Sequence, residues 1–335
     1  MLTPLLYLLL ALLSALNLST GFQRPFTMAS AVRRSVTGIS MNQKELMKEL
    51  GEDISRAIGG KYSPIEFKNS FAGGGGGASV GSVVDSQQRE YFVKMGNINS
   101  FDMLRGEFEG VKTLYESKSI RVPKPIVVGT SDSTAYLVFE KLSLGGYGDA
   151  ARYAKELAAM HTTRSPNNKF GFHINNTCGA TFQPNSWTDT WADFWDEHRL
   201  GHMLTLAKRD GASFPQEKDL RAKVRSVLEA HECIPSLVHG DLWSGNQAYT
   251  KDGDPVIFDP AVYYGDREVD IAMTGLFGAN SALFYSTYED EFPLPEGHEL
   301  RRTIYNLYHI LNHYVLFGGG YLGQAKSMMD KILKA

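Results

Sequence analysis

The chain has only two cysteines, Cys178 and Cys233, in 335 residues. That excludes a disulfide framework, and neither residue stands in a C-x-x-C or other metal-ligand spacing, so both read as ordinary buried thiols. An excess of basic charge is also lacking. Lys and Arg number 34 against 37 Asp and Glu, for a net charge of −3, so no basic field is available to drive nucleic-acid binding by counterion release. There is no internal repeat, and the only low-complexity tract is Gly73–Gly77. Apolar residues are not scarce. At 43% they suffice for one large domain or for two lobes around a shared cleft.

The first 44 residues are of a different kind. Leu5 to Leu18 is almost wholly apolar but short for a membrane span, and Ser19-Thr20-Gly21 before Phe22 fits a signal core followed by a cleavage site. From there to Lys44 the segment carries Arg24, Arg33 and Arg34, several Ser and Thr, and no acidic residue, which is transit-peptide composition. The two in tandem resemble the bipartite leaders of algal plastids bounded by extra membranes. A plastid address is therefore expected, with secretion as the alternative and no membrane association once the leader is removed. Removing its four basic and no acidic residues takes the net charge from −3 to −7.

Beyond the leader, the pattern predicts an α+β, two-lobed fold. Leu46, Leu50, Ile54 and Ile58 recur at four-residue steps, which predicts a helix over 44–58. Strand-length runs follow at 65–71, 79–84 and 91–95, then a helix over 101–117 and two strands at 126–128 and 135–139. After residue 149 helices dominate, at 150–162, 189–206, 216–231 and 300–317. The spacing thus predicts a small strand-rich lobe over 45–144 and a larger helical lobe over 145–335, the protein-kinase-like arrangement. Trp187, Trp191 and Trp195 recur at four-residue spacing, so they are expected to line one face of a helix at the start of the 189–206 region, mainly as packing.

The residues capable of chemistry cluster late in the chain. Asp241 and Asn246, in His239-Gly-Asp-Leu-Trp-Ser-Gly-Asn246, stand at the interval of a kinase catalytic loop, and Asp259 follows an apolar run. Asp241 is the expected base for an acceptor hydroxyl, with Asn246 and Asp259 as hard oxygen ligands for Mg²⁺. Lys94, on a strand, is placed to meet the phosphates of ATP, and Glu107 to hold it. The backbone of Gly74, Gly75, Gly76 and Gly77 is open to phosphate oxygens, although the tract is neither a P-loop nor a Rossmann turn. His309 and His313 stand four apart, but no catalytic Glu accompanies them as in a zinc protease helix.

Leu237–Asn246 together with Asp259–Asp270 resembles the fructosamine kinase (ketosamine 3-kinase) family, relatives of aminoglycoside phosphotransferases. The likeness extends through Phe92-Val-Lys94, Arg105-Gly-Glu107, Val122–Pro125, Lys169–His173 and Leu311-Asn-His313. Trp243 inside the loop separates this family from the wider group. The resemblance implies sugar-amine contacts at Trp243 and His313 and an adenine-facing hinge at Glu140. It implies ATP-dependent phosphorylation of the 3-hydroxyl of a ketosamine on a glycated protein, in deglycation repair, with ribulosamine or erythrulosamine favoured over fructosamine. A monomer or weak dimer is expected. Where many relatives carry a glycine-loop Cys used for redox dimerisation, this chain has Ala78. The alternatives are a kinase of another small alcohol, such as an aminoglycoside or choline, and a catalytically silent binding module of the same fold.

Overall fold

The computed structural model describes residues 43–71 and 78–335. The leader up to residue 42 and Gly74, Gly75, Gly76 and Gly77 lie outside the described residues. Among those described, no helix is long and apolar enough to cross a membrane.

The four-residue apolar stripe forms helix α1 (Gln43–Ile58), with Leu50 and Ile54 fully buried. Five antiparallel strands follow: β1 (Pro64–Phe71), β2 (Ser79–Asp85), β3 (Glu90–Asn97), β4 (Pro125–Ser131) and β5 (Thr134–Glu140), in the order β1-β2-β3-β5-β4. Side chains of a strand alternate between faces, so β5 divides its apolar residues between two cores. Tyr136 and Val138 join Leu50 and Ile54 beneath α1, whereas Ala135, Leu137 and Phe139 join Leu104, Val111 and Leu114 of helix α2 (Phe101–Ser117) and the rest of the chain. On β3 Val93 enters the α1 core. Lys94 is thereby turned toward α2, the helix that carries Glu107.

The helical lobe holds α3 (Ala150–His161), α4 (Trp191–Trp195), α5 (Gly201–Arg209), α6 (Glu217–Glu229), α7 (Glu268–Thr274), α8 (Ala282–Glu291), α9 (His298–Phe317) and α10 (Tyr321–Lys334). A π turn over Asp196–Leu200 joins α4 to α5, so a single helical rod occupies the expected 189–206 region. Its start departs from expectation. Thr190 Oγ1 accepts the Asp193 amide as an N-cap, which begins the helix at Trp191 and leaves Trp187 outside it. Trp191 and Trp195 are buried, but Trp187 stacks on Tyr264 instead, ring centroids 6.1 Å apart.

Three helices were not expected. Every residue of α7 is buried, the carboxylates of Glu268 and Asp270 included, so no contrast between a polar and an apolar face reveals it. Its neighbour α8 begins at a Ser281 cap but shows little periodicity. In α10, Ala325, Met329 and Ile332 do form a readable stripe.

Candidate active site

Two short antiparallel pairs set the site. After the β6 (Asn176–Cys178) and β7 (Thr181–Gln183) hairpin, strand β8 (Ser236–Val238) pairs with β11 (Tyr263–Gly265), and β9 (Gln247–Tyr249) pairs with β10 (Pro255–Ile257). Residues 239–246 and 258–262, which link these pairs, therefore run side by side. Backbone bonds tie them together, from the Ala261 amide to the His239 carbonyl at 2.8 Å and from the Phe258 amide to the Asn246 carbonyl at 3.1 Å. Close approach demands glycine at position 240, where φ is +81° and a Cβ would lie 2.2 Å from the Ala261 carbonyl oxygen.

Asp241, Asn246 and Asp259 meet across these loops. Asn246 Nδ2 donates to the Asp241 carbonyl at 2.9 Å, to Asp241 Oδ2 at 3.3 Å and to the Asp259 carbonyl at 3.3 Å. With the amide nitrogen so engaged, Oδ1 is the atom left to meet a cation. Asp259 sits at φ +56°, a left-handed conformation that Asp tolerates better than most residues. Its carboxylate reaches across to the first lobe, where Lys94 Nζ lies 2.7 Å from Asp259 Oδ1 and 2.7 Å from Glu107 Oε1. Burial alone would depress the Lys94 pKa, but the two carboxylates outweigh it and hold the ammonium charged. Replacing Lys94 by Met leaves Glu107 buried without its cation, and about 3 kcal/mol of stability should be lost in a denaturant titration. Arg at the same position should not restore ADP release, because a planar fork cannot replace a point charge between two carboxylates.

Burial, and then the nearby charge of Asp259, push the Asp241 carboxyl up to about 7, although the Asn246 hydrogen bond opposes the shift. A base is active when deprotonated, so turnover limited by Asp241 should rise with pH through about 7 and level off above it. Asp259→Asn removes a raising influence and should move the Asp241 titration to lower pH, as carboxyl-carbon NMR titrations of the two proteins would show.

The loop is held from behind by Asp270, a residue no local pattern marked as functional. Its Oδ2 accepts the His239 amide at 2.7 Å and its Oδ1 the Gly240 amide at 2.8 Å. His161 Nε2 lies 3.1 Å from Oδ2, and His161 Nδ1 lies 2.7 Å from the Tyr288 hydroxyl. Burial would raise the Asp270 pKa, but the His161 hydrogen bond and the other donors bring it below the usual carboxylate value. His239 contacts the Phe258 carbonyl through Nε2 at 3.0 Å and accepts the Asp241 amide at Nδ1 at 3.2 Å. Those partners fix one neutral tautomer, consistent with a pKa lowered by burial.

Of the residues expected at the acceptor side, Trp243 is half-buried in the same loop. Ser244 donates to the Phe277 carbonyl at 2.7 Å, and the Phe277 ring packs against His313 at a tilt of 37°, centroids 4.5 Å apart. The Tyr321 ring is 5.1 Å from His313 on another side. One turn earlier on α9, His309 is buried with Nδ1 3.8 Å from Asp241 Oδ1. Glu140 ends β5, where its amide donates to the Lys124 carbonyl at 2.9 Å and its carboxylate pairs with Arg121 at 2.5 Å. A base contact at this residue therefore falls to its carbonyl.

A strand-rich lobe presenting a Lys–Glu pair, set against a helical lobe presenting Asp241, Asn246 and Asp259, defines a kinase of the protein-kinase-like fold. The particular family follows from comparison, for the fructosamine kinase family model matches residues 47–335. This chain belongs to that family. A ketoamine kinase of Synechocystis sp. is 42% identical over 296 residues, covering 88% of this chain and 99% of the relative. The chloroplastic protein-ribulosamine 3-kinase of Oryza sativa subsp. indica is 36% identical over 337 residues, covering 97% of this chain and 98% of the relative. A crystal structure assigned as a fructosamine-3-kinase from Haemophilus somnus superposes with a TM-score of 0.80 at 28% identity, covering 87% of this chain and 98% of the other.

Proposed function

We propose that this chain is an ATP-dependent ketosamine 3-kinase acting on protein-bound ribulosamine or erythrulosamine in preference to fructosamine, in the repair of glycated proteins. The observation that carries this reading is the meeting of Asp241, Asn246 and Asp259 in the second lobe with Lys94 of the first. In this mechanism Lys94, steadied by Glu107, shifts from Asp259 to the phosphates of ATP. Asn246 Oδ1 and the Asp259 carboxylate form a hard-oxygen pair that fits Mg²⁺. Bound there, Mg²⁺ would offset charge on the phosphate oxygens. Asp241 orients the acceptor hydroxyl and takes its proton as the oxygen attacks the γ-phosphorus, whose bond to the β–γ bridging oxygen breaks to release ADP. The resulting 3-phosphate is unstable, and its breakdown frees the lysine amine.

Trp243 and the His313 ring, backed by Phe277, provide faces for the sugar-amine, and they favour this acceptor over other small alcohols. The rice relative is a chloroplastic protein-ribulosamine 3-kinase, which supports the pentose preference and the plastid address. Purified protein lacking the leader, with ATP, Mg²⁺ and lysine modified by ribulose, erythrulose or fructose, tests the reading. ADP release should be greatest with the first two and absent on unmodified lysine. Release no greater than that of Asp241→Asn on all three would sink it.

A further inference from the structure

We propose that Cys178, Asp241 and His309 form a binding site for a soft divalent cation of the Zn²⁺ class, which withdraws the Asp241 carboxylate from the acceptor. The three come from separate places, the end of β6 (Asn176–Cys178), the catalytic loop and the middle of α9. The fold nevertheless brings one ligand atom of each within 4.8 Å of the others. A tetrahedral Zn²⁺ with bonds of about 2.0–2.3 Å holds its ligand atoms roughly 3.3–3.7 Å apart, so side-chain shifts of about an ångström close the site.

The second observation is an unmet need. His309 is 4% exposed, yet its Nδ1 has no hydrogen-bond partner among the described residues. A buried polar atom without a partner is costly and calls for a ligand. The contrasting cluster in the same lobe makes the point. His231, Cys233 and Asp266 offer the same three ligand types within the same distance, but His231 Nε2 is already 2.9 Å from Asp266 Oδ2. His309 Nδ1, by contrast, is a buried ring nitrogen with no hydrogen-bond partner among the described residues.

Burial and the nearby Asp241 charge raise the Cys178 thiol pKa, so the metal must displace the thiol proton as it binds. Burial keeps the His309 imidazole neutral, the form that coordinates. Asn312 Nδ2 lies 3.2 Å from the Cys178 carbonyl and 3.4 Å from its Sγ, and Thr181 Oγ1 holds the Asn312 Oδ1 at 2.5 Å, an outer shell that orients the sulfur. Thiolate and imidazole donors select Zn²⁺ over Mg²⁺, and His309 is near Asp241 Oδ1 whereas Asn246 contacts Oδ2. On binding, the Cys178 S–H bond breaks, a Zn–S bond forms and the proton passes to buffer. An acceptor hydroxyl would use the same space between Asp241 Oδ1 and His309 Nδ1, so Zn²⁺ should compete with the acceptor and leave ATP binding alone.

The inhibitory consequence rests on Asp241 acting as the base, whereas the site itself does not. Metal-free protein should bind one Zn²⁺ by calorimetry, and Co²⁺ in its place should give a thiolate-to-metal charge-transfer band. In Cys178→Ala, with Cys233 intact, the band should vanish and affinity fall at least about tenfold; His309→Gln should also weaken binding. Thermal melts with and without Zn²⁺ show whether each variant folds, and the Zn²⁺-induced rise should be larger in the parent protein than in either variant. Equal affinity in parent and Cys178→Ala, or a band retained without Cys178, overturns the site. Zn²⁺ bound through Cys178 with ADP release from ribulosamine-lysine unaffected overturns the inhibition.

Discussion

Asp241→Asn should lower ADP release by about 10²- to 10⁴-fold, the usual contribution of a positioned general base. The amide keeps the shape and the Asn246 neighbourhood but cannot take a proton. Among the described residues Asp241 touches neither Lys94 nor Glu107, so nucleotide affinity should stay within a few-fold of the parent value. Steady-state kinetics with a separate ATP-binding titration checks both parts. A variant that keeps more than a tenth of the parent turnover would remove Asp241 from the base position.

The second large effect belongs to Asp270. Alanine there strips the acceptor from the His239 and Gly240 amides and the partner from His161, all in a dry interior. Breaking a buried charged network from one side typically costs about 3–5 kcal/mol, so the denaturation midpoint should fall markedly. Turnover should fall further than stability explains, because the same two amides hold the backbone on which Asp241 stands. Asparagine should be intermediate: it retains one acceptor oxygen but turns an N–H₂ toward another donor. Chemical denaturation and ADP release measured on the same preparations separate the two losses. Unchanged turnover in a folded Asp270→Ala protein would show that the loop holds itself.

Much of the fold was readable because one periodicity at a time governed each segment. The stripe of α1, the alternation of β3 and β5 and the run of α2 each bury one face, and a face leaves its period in the residues. Helix α7 was hidden for the opposite reason, since it is buried on every side. Trp187 was misplaced because a threonine cap, not hydrophobic spacing, decided where its helix begins.

The chemistry divides along a similar line. The sequence alone determined the kinase loop and its metal-ligand candidates, since Asp241 and Asn246 lie on one short loop and Asp259 on the next. Their spacing is local and survives in one dimension. Only the tertiary structure decided what surrounds Asp241: Asp270 from 29 residues on, which anchors the loop; Asp259 and the burial that bring its carboxyl to about 7; and His309 and Cys178 close beside it. Cys178 read as an ordinary thiol, and His309 as half of a pair with His313, because nothing near either in the chain says otherwise. Proximity across 63 and 68 residues of chain is created by packing, through the contacts of many apolar side chains, and no local spacing records it.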